Sequence, residues 1–159
     1  MDGNGRWAKS RRLPRSEGHR AGTEAARTVI TRCRELGIRH LTLYSFSREN
    51  WGRPAEEVTF IFDLLVRFLS KELPTLLRED IRLLLLGEAK DLPLAARTAL
   101  GHAITKTAGC TAMTLNLALN YSGREEILRA SRRLIAQQVN PDAITEERLA
   151  AELYTAGQP

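Results

Sequence analysis

Apolar positions along the chain fall into two rhythms. Between residues 18 and 36, Ala25, Ala26, Val29, Ile30, Cys33 and Leu36 recur every three or four places, which is the stripe of an amphipathic helix. Gly37 supplies its stop. Residues 38–46 are short, branched and aromatic, and predict a strand emptying into a polar loop at 47–54. Val58, Ile61, Phe62, Leu65, Phe68 and Leu69 mark the buried face of a longer helix, which Pro74 should kink or stop because proline lacks an amide proton. The apolar run 81–86, bounded by Gly87, reads as a strand buried on both faces. A helix at 93–107, a strand at 113–120 and a helix at 123–139 follow. The segment 145–154 predicts a short helix capped by Thr145, with two glutamates in its first turn. Strand and helix alternate throughout. That order predicts an α/β fold, a parallel β-sheet flanked by helices, with ligands gathering at the strands' carboxyl ends. No repeat, low-complexity tract or linker interrupts it, so residues 1–159 read as a single domain.

Composition narrows the classes. A chain of 159 residues can build one core, and 43% hydrophobic with 27% charged residues excludes disordered and fibrous classes. The longest wholly apolar run, Leu83 to Leu86, falls far short of the ~20 residues of a bilayer crossing. The basic, glycine-bearing first 20 residues lack the apolar stretch of a secretory signal. A cytoplasmic location is therefore expected, with Cys33 and Cys110 as reduced thiols. The net charge of +5 is uneven: the first 40 residues hold +6 and the remaining 119 hold −1. A local basic excess attracts an anion, and charge by itself leaves nucleic acid, membrane headgroup and phosphorylated metabolite open.

Three polar stretches carry the candidate chemistry. Asp2-Gly3-Asn4-Gly5-Arg6-Trp7 combines a carboxylate, two glycines that let backbone amides approach a ligand, and a guanidinium able to fork onto phosphate. These are the parts of a diphosphate and Mg²⁺ site, and equally those of a plain turn. Arg15 and the run Gly18-His19-Arg20-Ala21-Gly22 stand at the expected start of the first helix, where unpaired amides and a positive dipole end favour anions. His19 is alternatively a histidine satisfied by local backbone. Ser47-Arg48-Glu49-Asn50-Trp51-Gly52-Arg53-Pro54 follows the first strand, at the usual address for site residues, and is otherwise a solvated turn.

In this order and spacing, MDGNGRWA, GHRAG, SFSRENWGRPAEEV, the RLLLLGE strand end and LNLALNYSGREEI resemble the cis-prenyltransferase family, essentially end to end. The resemblance implies an Mg²⁺-dependent transferase that condenses isopentenyl diphosphate with an allylic diphosphate such as farnesyl diphosphate and forms Z double bonds. It implies that Asp2 binds Mg²⁺ and assists departure of the allylic diphosphate, which amides around Gly3, Asn4, Gly5 and Arg6 also receive. Arg15, His19 and Arg53 match positions around that diphosphate. Trp7 and Trp51 match substrate-pocket positions, Ser47, Arg48 and Glu49 line the same loop, and Asn50 matches a position proposed for proton removal. An amide has no useful basicity, so Asn50 reads as positioning the diphosphate or a water. The resemblance implies a tunnel for the growing product built from the second long helix and neighbouring strands, with Val58, Ile61, Phe62, Leu65 and Leu69 as candidates, although ordinary core packing explains such a stripe as well. Ser45 matches a position where side-chain size varies with product length, and a small residue there implies an open tunnel.

Departures from the pattern set further expectations. The family's Arg-x-x-Gly-Glu-x-Arg-x-Ser-Asn motif, which holds the isopentenyl diphosphate pocket, is absent, as is the apolar strand that delivers the aspartate. The sequence is therefore expected to be a fragment or a mis-called reading frame with little condensing activity by itself, its family homodimer in doubt. Ser122 stands where the family more often has glycine. A non-catalytic accessory relative is the first alternative, opposed by Asp2, Arg6 and Asn50. A nucleic-acid-binding domain is suggested by the basic first quarter but opposed by 6% aromatic content without exposed stacking platforms. The paired Asp-Asp-x-x-Asp motifs of trans-type synthases do not occur. Contact with a membrane surface is expected only through a lipid product.

Overall fold

The computed structural model describes residues 2–158; Met1 and Pro159, the two ends of the expected domain, lie outside the described residues. Three parallel strands, β1 (His40–Ser47), β2 (Ile81–Leu86) and β3 (Met113–Tyr121), form a sheet in the order β1-β3-β2. The helices are α1 (Asn4–Ser10), α2 (Arg15–Glu35), α3 (Ala55–Arg78), α4 (Leu94–Lys106), α5 (Gly123–Ala136) and α6 (Glu146–Ala151). The α/β architecture is as the alternating pattern predicts. No helix among the described residues is long and apolar enough to cross a membrane.

Strand periodicity decides which side chains meet the helices. Met113, Leu115, Leu117 and Leu119 of the central strand share one face and join Ile81 and Leu83 in a core with Phe62, Phe68, Leu69 and Leu76 of α3 and Leu100 of α4. On the other face Asn116, Ala118 and Asn120 are also buried. The β1–β3 register shifts at Tyr44/Phe46 and again at Phe46/Ser47. This irregularity turns Phe46 into the core although Leu43 already leans that way, and re-aims the end of β1.

Four sequence readings need correction. The opening string is a short helix, α1, entered through Gly3 at φ 84°. The first long helix begins at Arg15, so Gly18 to Gly22 lie inside it, and their amides are not those of a helix start. The polar loop after β1 is largely a 3-10 turn, Arg48–Gly52. Finally, α3 runs through Pro74 to Arg78 without stopping. Buried Leu69 and Leu76 bracket the proline on the core side, and their packing holds the last turn in place.

A buried carboxylate fastens the C-terminal segment. Glu126 of α5 is 6% exposed and accepts from the Tyr121 hydroxyl at 2.6 Å and from the Tyr154 amide at 2.8 Å. Burial and then this carboxylate push the Tyr121 hydroxyl up to about 12. Both Glu126 oxygens face donors, whereas glutamine would turn an NH₂ toward one of them. Glu126→Gln is expected to lower unfolding free energy by about 1–3 kcal/mol. Urea denaturation measures this, and an unchanged midpoint would rule the clasp out as a stabilising feature.

Candidate functional site

One cavity of about 610 Å³ opens between α1, α2, α3 and the carboxyl ends of β1 and β3. Its two ends differ chemically. The rim carries Asp2, Gly3, Asn4, Gly5, Arg6, Lys9, Arg15, His19, Asn50 and Arg53, while the floor is Ala26, Leu43, Ile61, Phe62, Leu64, Leu65, Phe68, Leu117 and Leu119. Four permanent cations face two carboxylates at the rim, counting Glu57, which binds three of its groups. That excess favours an anionic headgroup, and the floor favours an apolar tail.

Backbone contact builds the rim. A Cβ placed on Gly18 would lie 2.1 Å from the Asn4 carbonyl oxygen, and one on Gly22 would lie 2.6 Å from the Asn4 side-chain amide. The two glycines, one turn apart on α2, therefore form the seat on which α1 rests. Seating α1 brings residues 2–6 to the cavity mouth. Asp2 is exposed, accepts from the Gly3 amide and pairs with Arg6 at 2.8 Å. The Gly3 amide, and next the Arg6 charge, hold its carboxyl below the usual range.

Glu57, in the first turn of α3, organises the cations. Its side chain is 10% exposed and meets Arg15 at 3.0 Å, His19 at 3.1 Å and Arg53 at 2.8 Å. Burial pushes the carboxyl up, but hydrogen bonds from His19, Arg53 and Arg15 outweigh it and hold the group below its ordinary value. An ionised carboxylate only accepts, so His19 presents an Nε2 proton to it. Sequence reasoning missed Glu57, because an acid in a first turn is ordinary dipole compensation. Its i,i+4 spacing from Arg53 was the available signal. Lys9, Leu13 and Thr23 also line the cavity and were not anticipated.

The turn after β1 divides between two directions. Asn50 Oδ1 accepts from the Ser47 amide at 3.0 Å, and the side chain lines the cavity with an NH₂ donor available to a ligand. A donor suits a diphosphate oxygen and cannot act as a base. Ser47, Arg48, Glu49 and Trp51 do not line the cavity. Arg48 points to Glu125 at 3.9 Å, and Glu49 is held below the usual carboxylate range by its own amide and the Ser47 hydroxyl. Trp51 stacks on Phe62, ring centres 5.4 Å apart. Trp7 is 39% exposed beneath the Arg11 guanidinium, outside the cavity. Of the tunnel candidates, Ile61, Phe62 and Leu65 reach the cavity, whereas Val58 and Leu69 are core. Ser45 lines the wall beside Leu43.

A sequence profile described as "Putative undecaprenyl diphosphate synthase" matches residues 1–159. The chain is 52% identical to an isoprenyl transferase of Heliobacterium mobile, with all of this chain covering 63% of that protein. It is 47% identical to an isoprenyl transferase of Streptococcus mutans, of which it covers 66%. The chain thus spans just under two thirds of the length of these curated relatives. Among solved structures, lavandulyl diphosphate synthase from Lavandula x intermedia, in complex with dimethylallyl diphosphate, superposes with a TM-score of 0.94 at 32% identity, over 98% of this chain and 68% of that one. A probable undecaprenyl diphosphate synthase from Campylobacter jejuni gives 0.74 at 35% identity, over 83% and 62%.

Proposed function

We propose a function from one premise: this chain belongs to the cis-prenyltransferase family, that of undecaprenyl diphosphate synthase. The cavity binds an allylic diphosphate, headgroup at the rim and prenyl chain on the floor. In the full-length enzyme that substrate is condensed with isopentenyl diphosphate to a Z-configured polyprenyl diphosphate. One observation carries the reading. A single cavity joins a cation-rich rim to an apolar floor, and a structural relative holds dimethylallyl diphosphate.

Arg15, His19 and Arg53 bind the diphosphate, with Arg6 and Lys9 adding charge and Asn50 donating to an oxygen. Gly3, Asn4 and Gly5 keep backbone within reach, and Ser47, Arg48, Glu49, Trp51 and Trp7 support the loop and helix that carry these groups. No group of three or more acidic, cysteine or histidine side chains suited to a metal occurs among the described residues. Mg²⁺ nevertheless fits the donor set here, because it is commonly held by one or two carboxylates plus substrate phosphates, and Asp2 supplies a solvent-facing carboxylate beside the rim. When bound, the ion neutralises charge building on the leaving diphosphate. Asp2 would hold it, its carboxyl kept below the usual range first by the Gly3 amide and then by the Arg6 charge. Residues 1–159 act as one domain, a cytoplasmic location and product-mediated membrane contact belong to this proposal, and the homodimer belongs to it for the family and not for this chain.

The test is calorimetric binding of dimethylallyl thiolodiphosphate, with inorganic pyrophosphate for comparison, in the presence and absence of Mg²⁺. The allylic compound is expected to bind more tightly than pyrophosphate, and Asp2→Ala to remove the Mg²⁺-dependent part of its affinity. Equal affinity for the two ligands, or an unchanged metal response in Asp2→Ala, overturns the reading. Dependence on duplex or single-stranded oligonucleotide with a steep salt response would favour the nucleic-acid alternative.

A further inference from the structure

The carboxyl end of the central strand holds a polar side chain that touches neither the cavity nor solvent. Asn120, on β3, is 3% exposed and has φ 51°, a left-handed conformation that asparagine adopts more readily than most residues. Its carboxamide is fully engaged. Oδ1 accepts from the Trp51 indole Nε1 at 2.8 Å, and Nδ2 donates to the Glu88 carbonyl at 3.0 Å and to Asp91 Oδ2 at 3.3 Å. Trp51 belongs to the turn that leaves β1, and Glu88 follows the end of β2. With β3 central in the order β1-β3-β2, one amide thus joins the end of the central strand to the segments leaving both of its neighbours.

The link to the cavity runs through Trp51. Its indole stacks on Phe62, a floor residue, and meets Phe46 edge-on with centres 5.2 Å apart. The same turn carries Asn50 to the rim and leads directly into Arg53. Aromatic stacking fixes the indole plane but leaves it free to slide, whereas the Nε1–Oδ1 hydrogen bond fixes its position along that plane. We propose that Asn120 is a positioning residue for the diphosphate rim: through Trp51 it sets the turn that presents Asn50 and Arg53. This rests on the cavity binding an allylic diphosphate.

In the full chain Trp7→Phe leaves Trp51 the sole tryptophan, excited selectively at wavelengths that tyrosine does not absorb. In that background Asn120→Gly retains the left-handed backbone and removes the carboxamide. Asn120→Asp keeps an acceptor for Trp51 but removes the donor, next to Asp91. Glu126→Gln, destabilising and at a residue that does not line the cavity, is the control for stability. Asn120→Gly is expected to make Trp51 more quenchable by acrylamide and to weaken dimethylallyl thiolodiphosphate about fivefold well below the melting temperature, the scale of one lost hydrogen bond. Asn120→Asp should preserve more of the Trp51 signal than Asn120→Gly, and Glu126→Gln should leave both signal and affinity unchanged. Unaltered Trp51 quenching in Asn120→Gly, or altered quenching with parental affinity, overturns the proposal. So does an affinity loss in Glu126→Gln equal to that in Asn120→Gly, which would make stability the cause. A parent chain that binds no allylic diphosphate overturns the functional reading itself, and this role with it.

Discussion

Gly18→Ala is expected to unseat α1 and abolish most allylic diphosphate binding. In an open helix the same change is favourable, since alanine exceeds glycine in helix propensity by about 1 kcal/mol. At Gly18 the sign reverses. The new methyl would stand 2.1 Å from the Asn4 carbonyl oxygen, 2.8 Å from its carbon and 3.1 Å from Ala8 Cβ, atoms fixed in the backbone and the short side chain of α1. Overpacking of this kind costs about 1–3 kcal/mol, and the chain can avoid it only by moving α1. The melting loss is therefore bounded by what α1 contributes through docking, while the binding loss is not, because Asp2, Gly3, Asn4, Gly5, Arg6 and Lys9 all leave the rim together. Gly22→Ala meets only the movable end of the Asn4 side chain and should be milder. Gly101→Ala, in α4 with nothing within 4 Å of the added carbon, should gain about 1 kcal/mol. Thermal unfolding and calorimetry of the three variants check the series. If Gly18→Ala behaves like Gly101→Ala, the seat does not exist.

The same seat explains what the sequence concealed. Glycine and asparagine are poor helix formers, and a seven-residue helix is not stable alone, so residues 4–10 carry no helical signature of their own. Packing on Gly18 and Gly22 supplies the stability, and the run read as a helix start was instead a contact surface. Where apolar periodicity is strong, local pattern and tertiary structure agree: the run 81–86 coincides with β2, and the Thr145 cap is present, accepting from the Arg148 amide. Pro74 does not stop the helix because a missing donor is a local cost, while Leu69 and Leu76 are held by the core on either side of it. Most of the cationic rim was legible because arginine, histidine and glycine stood in recognisable blocks. Glu57 and Asn120 were not, since their roles lie in contacts 38, 42 and 69 residues distant in sequence.

Glu57→Gln should both destabilise the chain and weaken headgroup binding, although it makes the rim more positive. The folded carboxyl lies below its ordinary value because three donors outweigh its burial. A depressed carboxylate contributes stability above its unfolded pKa, about 4.3, and that contribution disappears as pH falls through the folded value. The parent should therefore exceed Glu57→Gln most at neutral pH, by about 1–3 kcal/mol. The larger costs of broken buried pairs do not apply, because the Arg15 side chain is 66% exposed and rehydrates, as does the partly exposed Arg53. Below the carboxylate range the two denaturation curves should converge. Ligand binding separates charge from order. Removing one negative charge strengthens attraction for a diphosphate, an effect that salt screens. Releasing Arg15, His19 and Arg53 from a common anchor costs orientation, which salt does not restore. Orientation should dominate, weakening dimethylallyl thiolodiphosphate by about thirtyfold, equivalent to about 2 kcal/mol, at low and physiological ionic strength alike. Tighter binding in Glu57→Gln at low salt, fading as salt is added, would mean that Glu57 acts only as a counter-charge and that the incoming diphosphate orders the cations by itself.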